Sequence, residues 1–168
     1  MSEKIYKVLF LCTGNSARSI MAEALLTTMG RGRFRAYSAG SHPAGRVHPL
    51  ALEQLRKTGY PLGHLRSKSW DEFAAADAPA MDFIITVCDN AAGEVCPLWP
   101  GQPVSAHWSF ADPAAVAGTE EERRAAFDRI FRQIMARVQT LVSLPLPMLD
   151  RQAIQHEMHR IGMAPAAT

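Results

Sequence analysis

Cysteine is scarce in this chain: its 168 residues carry only Cys12, Cys88 and Cys96. So few cysteines do not make a disulfide framework and read instead as thiols kept for chemistry or for packing. A dominant charge sign is missing too. Eighteen Lys and Arg face sixteen Asp and Glu, a net charge of +2, so neither nucleic acid nor a membrane surface is expected as a partner. Long hydrophobic runs are also absent. The longest near the N-terminus is about five residues, too short for a signal peptide or a membrane span, and a cytoplasmic location is the default expectation. With no repeat, low-complexity block or linker, residues 1–168 are expected to form one domain. Its core is expected over about 4–145, followed by a C-terminal helical extension over 146–168.

What is there centres on Cys12-Thr13-Gly14-Asn15-Ser16-Ala17-Arg18-Ser19. The apolar run Val8-Leu9-Phe10-Leu11 precedes it and a helical pattern follows. Strand, tight polar loop and helix start make an anion site, because loop amides and the helix N-terminus aim at one spot. The backbone of Thr13, Gly14, Asn15, Ser16, Ala17 and Arg18 would line it. Arg18 can fold back and offer a planar fork of donors to two oxyanion oxygens. Cys12 ends the strand beneath. Amide dipoles, the helix start and Arg18 favour its thiolate, and a fall from about 8.5 to roughly 5 would be worth roughly 4–5 kcal/mol. Ser19 can donate to the sulfur, Gly14 can take a positive φ, and Asn15 tolerates the left-handed region. The competing reading is a buried core thiol followed by an ordinary helix cap.

Strands are expected over about Lys4 to Leu11, Arg33 to Ala39, Phe83 to Val87 and Val104 to Trp108. Helices are expected over Ala17 to Met29, Leu50 to Thr58, Trp70 to Ala76, Glu120 to Leu144 and Leu149 to Ile161. In the longest helix, Phe127, Ile130, Phe131, Ile134, Val138 and Leu141 form one stripe. Strands alternating with helices argue for an α/β fold: a four-stranded parallel sheet with helices on both faces. The cysteine loop would lie at the carboxyl edge of that sheet, where such folds bind ligands. Cys88 ends the third strand at the same edge, and Cys96 follows in a Gly- and Pro-rich loop. Asp112-Pro113 after the last strand has two readings: a general acid or base, or a helix entry with Asp at N-cap and Pro at N1. Cys88, Cys96 and His107 could hold a metal only with a fourth ligand and tighter spacing.

Cys-x5-Arg-Ser after an N-terminal strand resembles the low-molecular-weight protein tyrosine phosphatase family. Cys-Thr-Gly-Asn-Ser-x-Arg-Ser and the later cysteines are closer to its arsenate reductase branch, over roughly residues 5–142. The resemblance implies that fold, with Cys12 as nucleophile, Arg18 as oxyanion clamp and Asp112 as acid. It further implies a relay in which Cys12 attacks arsenic, Cys88 attacks Cys12 and releases arsenite, and Cys96 attacks Cys88. No tightly bound cofactor is implied, but an external thiol reductant is: thioredoxin, or glutaredoxin with glutathione. Two departures stand out. Ala17 replaces a cysteine common in the family, and the Cys88–Cys96 spacing is one residue longer than in thioredoxin-coupled members. Some members bind potassium near the loop; Asn15, Glu23 and Ser38 match such ligands, while Lys68 falls where a carboxylate would be, so its ammonium can replace the ion. The alternatives are a phosphatase hydrolysing aryl phosphates with Cys12, Arg18 and Asp112 alone, and a redox sensor that binds oxyanions without catalysis.

Overall fold

The computed structural model describes residues 4–88, 99 and 101–163. The apolar run lies in β1 (Tyr6–Cys12), where Val8, Leu9, Phe10 and Leu11 are completely buried. β1 pairs with β2 (Phe34–Gly40) on one side and β3 (Phe83–Thr86) on the other, and β4 (Val104–His107) lies beyond β3. The order is β2-β1-β3-β4 and every pairing is parallel, as the alternation of elements predicts.

Successive side chains of β1 go to opposite faces. Val8, Phe10 and Cys12 pack with residues of α1 (Arg18–Met29), α2 (Pro49–Arg56) and α4 (Glu120–Val142). Leu9 and Leu11 pack with Ile84, Met81 and with Phe73 from the short α3 (Asp71–Ala74). With both faces covered, the strand has no polar face to show, and its sequence is apolar without alternation. The last helix, α5 (Arg151–Met163), packs against β4 and α4.

Local signals explain the element ends. Thr119 caps α4 by accepting from the Glu122 N–H, and the Glu122 carboxylate accepts from Thr119 N, a reciprocal capping box. The expected stripe Phe127, Ile130, Phe131, Ile134, Val138 and Leu141 is buried throughout. Most boundaries shift by a residue or two. The second helix stops at Arg56 rather than Thr58, and α3 is shorter at both ends than expected. The N-cap of α3 is Trp70, which makes no side-chain cap, rather than the expected Ser69; the Ser69 hydroxyl, one residue earlier, accepts from the Asp71 N–H at 3.1 Å.

Register positions the site. Cys12 pairs with Gly40, Leu11 with Thr86, and Thr86 with His107. The carboxyl ends of all four strands therefore come level, and the segments that follow them meet there. Because Phe127 is fully buried, Phe127→Ala is expected to cost about 3–5 kcal/mol. Denaturant unfolding with an unchanged slope is the check.

Candidate active site

The loop after β1 is held from outside by its carbonyls. Thr13 O accepts from His42 N at 2.9 Å, Gly14 O from Ala44 N at 2.9 Å and Ser67 Oγ at 3.0 Å, and Ser16 O from His48 N at 2.8 Å. With carbonyls tied outward, amides turn inward. Among the described residues, the N–H groups of Asn15, Ser16, Ala17 and Arg18 make no hydrogen bond. They form the concavity of free donors that a tetrahedral oxyanion needs.

Asn15 takes the strained conformation, at φ 46°. It is fully buried. Its side-chain NH2 donates to Ser19 Oγ at 2.8 Å and its side-chain carbonyl accepts from Lys68 N at 2.9 Å. Two sequence expectations change here. Gly14 is not among the residues with positive φ; the turn is made by Asn15, whose amide hydrogen bonds offset the strain. Ser19 pairs with Asn15 rather than with the Cys12 sulfur. The glycine that close approach requires is Gly40, where a Cβ would sit 2.4 Å from Thr13 O and 2.9 Å from Cys12 O. Sequence reading missed it, although Gly at the end of β2 opposite the cysteine was its visible signal.

Cys12 and Cys88 are free thiols, 5% and 3% exposed. Cys88 lies close enough to Cys12 to act on its titration, and Cys88 Sγ accepts from Thr13 N at 3.4 Å. The second sulfur reverses an expectation. Cys88 and burial push the Cys12 thiol above its ordinary value, while Arg18 and the Gly14 N–H act in the opposite direction. Two sulfurs in contact cannot both carry charge cheaply, so they titrate as a pair. The sequence reading counted the dipoles and the arginine but not the neighbouring sulfur. Cys96 lies outside the described residues.

Arg18 leaves the first turn of α1 and donates through Nη1 to Phe110 O at 2.9 Å; its Nη2 lies 3.9 Å from Asp112 Oδ2. Asp112 thus stands at the loop's mouth, 46% exposed. Its Oδ1 also accepts from Ala114 N at 2.9 Å, capping the turn at Pro113–Ala115. Both readings of Asp112-Pro113 hold at once, since the cap fixes the carboxylate that faces Arg18.

Behind the loop, Lys68 is 9% exposed and its Nζ donates to Arg66 O at 2.9 Å. That ammonium lies 3.5 Å from Ser38 Oγ and 3.8 Å from Glu23 Oε1, and Ser38 Oγ donates to the same carboxylate oxygen. Burial raises the Glu23 pKa and lowers that of Lys68, and each charge opposes the other's shift. Asn15, Glu23 and Ser38 therefore do not fit a potassium ion here, because Lys68 already brings a positive charge to the two side chains that would share it. Among the described residues no cluster of three or more His, Cys, Asp or Glu could hold a metal.

A strand-end thiol under a nest of amides defines a protein that binds tetrahedral oxyanions against sulfur. The family model for low molecular weight phosphotyrosine protein phosphatase matches residues 7–158, and the chain belongs to that family. It is 36% identical over 140 residues to an arsenate reductase of Halalkalibacterium halodurans, covering 83% of this chain and 96% of that protein. The solved arsenate reductase of Archaeoglobus fulgidus is 31% identical with a TM-score of 0.64, over 82% of this chain and 99% of that one. A thioredoxin-dependent arsenate reductase of Corynebacterium glutamicum is 27% identical with a TM-score of 0.54, over 83% and 64%.

The sulfur pair has a measurable signature. Cys88→Ala removes the largest cause of the raised Cys12 pKa and leaves Arg18 and the Gly14 amide acting alone. Cys12 alkylation at pH 7 is expected to accelerate by about threefold for each unit that its pKa falls, a tenfold gain in thiolate offset in part by its lower nucleophilicity. Rates of iodoacetamide labelling across pH, followed by mass spectrometry, check this.

Proposed function

We propose that the chain is an arsenate reductase working through a thiol relay. The observation that carries this reading is the second sulfur: Cys88 Sγ accepts from the loop amide of Thr13, the residue next to Cys12, and sits close enough to act on the Cys12 thiol. Hydrolysis of a phosphate ester needs one sulfur, whereas reduction of arsenic(V) needs two electrons from thiols. Arsenate binds the free amides of the loop and the Arg18 guanidinium. Cys88, the thiolate of the pair and held by the Thr13 N–H, takes the Cys12 proton, and the Cys12 thiolate attacks arsenic. One arsenate oxygen leaves as water, taking a proton from Asp112. The Asp112 carboxylate left by that step takes the proton from Cys88, whose thiolate attacks Cys12; the sulfur–arsenic bond breaks, its electron pair stays on arsenic, and arsenite leaves behind a Cys12–Cys88 disulfide.

Cys96 then attacks Cys88, freeing Cys12 and forming a Cys88–Cys96 disulfide for an external donor. Thioredoxin is the favoured donor, supported by the likeness to the thioredoxin-dependent Corynebacterium protein; glutaredoxin with glutathione is the other. Such a relay requires a reducing compartment, which supports a cytoplasmic location. No helix among the described residues is long and apolar enough to cross a membrane. No nucleic-acid partner and no bound cofactor enter the scheme.

A phosphatase acting on aryl phosphates is the second reading, because Cys12, Arg18 and Asp112 converge without help from Cys88. One variant separates them. Pre-reduced Cys88→Ser is expected to form the Cys12–arsenic adduct and release no arsenite, where the native chain releases one per molecule. Sustained arsenite production by that variant would remove the relay; unaltered hydrolysis of p-nitrophenyl phosphate as its main activity would favour the phosphatase. With Lys68 supplying the buried charge, turnover is expected to be equal in potassium and in tetramethylammonium salts. Lys68→Ala strands Glu23 and is expected to cost about 3–5 kcal/mol in denaturant unfolding, with activity then responding to potassium.

A further inference from the structure

The segment between β4 and Asp112, His107-Trp108-Ser109-Phe110-Ala111, is fixed from four directions. β3 and the residue after it hold it through Trp108 N to Thr86 O at 2.8 Å and Phe110 N to Val87 O at 3.3 Å. From α4, Arg137 donates to Ser109 O at 3.0 Å and lies over the Phe110 ring at 4.6 Å. From α1, Arg18 holds Phe110 O. The fourth hold comes from α5, in the part of the chain that carries no motif. Trp108 is completely buried, and its indole N–H donates to Met158 O at 3.0 Å. Gly162, one turn on, lies so close that a Cβ there would meet His107 O at 2.3 Å and Trp108 Cδ1 at 2.9 Å. Gln155 completes the face, donating to Ser105 O of β4 at 2.8 Å. Residues 155, 158 and 162 recur at helical spacing, so one stripe of α5 runs along β4 and onto the acid-bearing segment.

We propose that α5 is a positioning element for catalysis, a brace that sets where Asp112 stands relative to Arg18 and the oxyanion loop. The proposal rests on the reading of Asp112 as the general acid. Helix α5 touches no reacting atom; it acts through Trp108 and His107, and its role is to keep the carboxylate within reach of the departing oxygen. Proton transfer is sensitive to such placement, since a donor moved by about 1 Å loses rate on the order of a hundredfold.

The test uses the full pre-reduced chain and needs no external donor. Gly162→Ala pushes α5 off His107, Trp108→Phe removes the indole donor while keeping a ring, and Arg160→Ala, in an exposed pair with Glu157, is the control on the same helix. Two readouts are taken: amide hydrogen exchange, and the single-turnover rate of arsenite release against arsenate concentration and pH. Gly162→Ala and Trp108→Phe are expected to speed exchange at the Trp108 and Phe110 amides at least tenfold, with β1 amides unchanged. The maximal release rate is expected to fall about tenfold with a change in the half-saturating arsenate concentration below about threefold, and Arg160→Ala is expected to match the native chain. Unchanged exchange in both variants overturns the brace, as does faster exchange spread evenly over the sheet. Faster local exchange with an intact release rate overturns its catalytic role. Asp112→Asn is run alongside. If that variant keeps the native rate and pH profile, the acid assignment fails by itself, and the exchange data still decide whether α5 holds the segment.

Discussion

The site depends on which way the peptide groups of one short loop point. Thr13, Gly14 and Ser16 turn their carbonyls outward because backbone and hydroxyl donors from residues 42–48 and 67 take them. Once those oxygens are held, the neighbouring N–H groups have only the concave side left to face. A buried amide without a partner is costly, so this concavity is an unfinished hydrogen-bond network that an oxyanion completes. Gly40 lets β2 come close enough for the arrangement to close, and Asn15 fixes its tightest corner through two side-chain hydrogen bonds.

On that frame, the relay we propose uses the second sulfur to change the chemistry from transfer to reduction. Had Cys12 been alone with Arg18 and the amides, it would be an ordinary activated thiol. With Cys88 against it, charge is shared between two sulfurs, and the proton that one loses the other can hold. Arsenate and phosphate are nearly alike in shape and charge, so a nest of amides does not tell them apart. The sulfur pair does, by offering electrons that arsenic(V) accepts and phosphorus does not.

Much of this was legible in the sequence. The apolar runs and the 3.6-residue stripe from Phe127 to Leu141 report burial directly, and the Cys-x5-Arg loop announces its own geometry. The buried Lys68 near Glu23 and Ser38 also came from matching positions along the chain. What stayed hidden were contacts between distant segments. The direction of the Cys12 shift needed the location of Cys88, and Gly40, though visible at the end of β2, gained its reason only with Thr13 O beside it. Leu149 to Ile161 reads as an amphipathic helix, but nothing local indicates that Met158, and Gly162 just beyond that span, meet Trp108.

The carbonyl anchors of the loop also bear on how the molecule comes together. Ser67 reaches Gly14 across 53 positions of chain, and Thr13 meets Cys88 across 75. Contacts of such range carry a large loop-closure entropy cost. Until they form, neither the amide cradle nor the sulfur pair exists, and each cysteine behaves as a free side chain of an unfolded polypeptide. Folding therefore shields these sulfurs as well as assembling the cradle: both are buried and the Cys12 thiol is pushed up, so stray oxidants reach them less readily than they reach the exposed thiols of an unfolded chain.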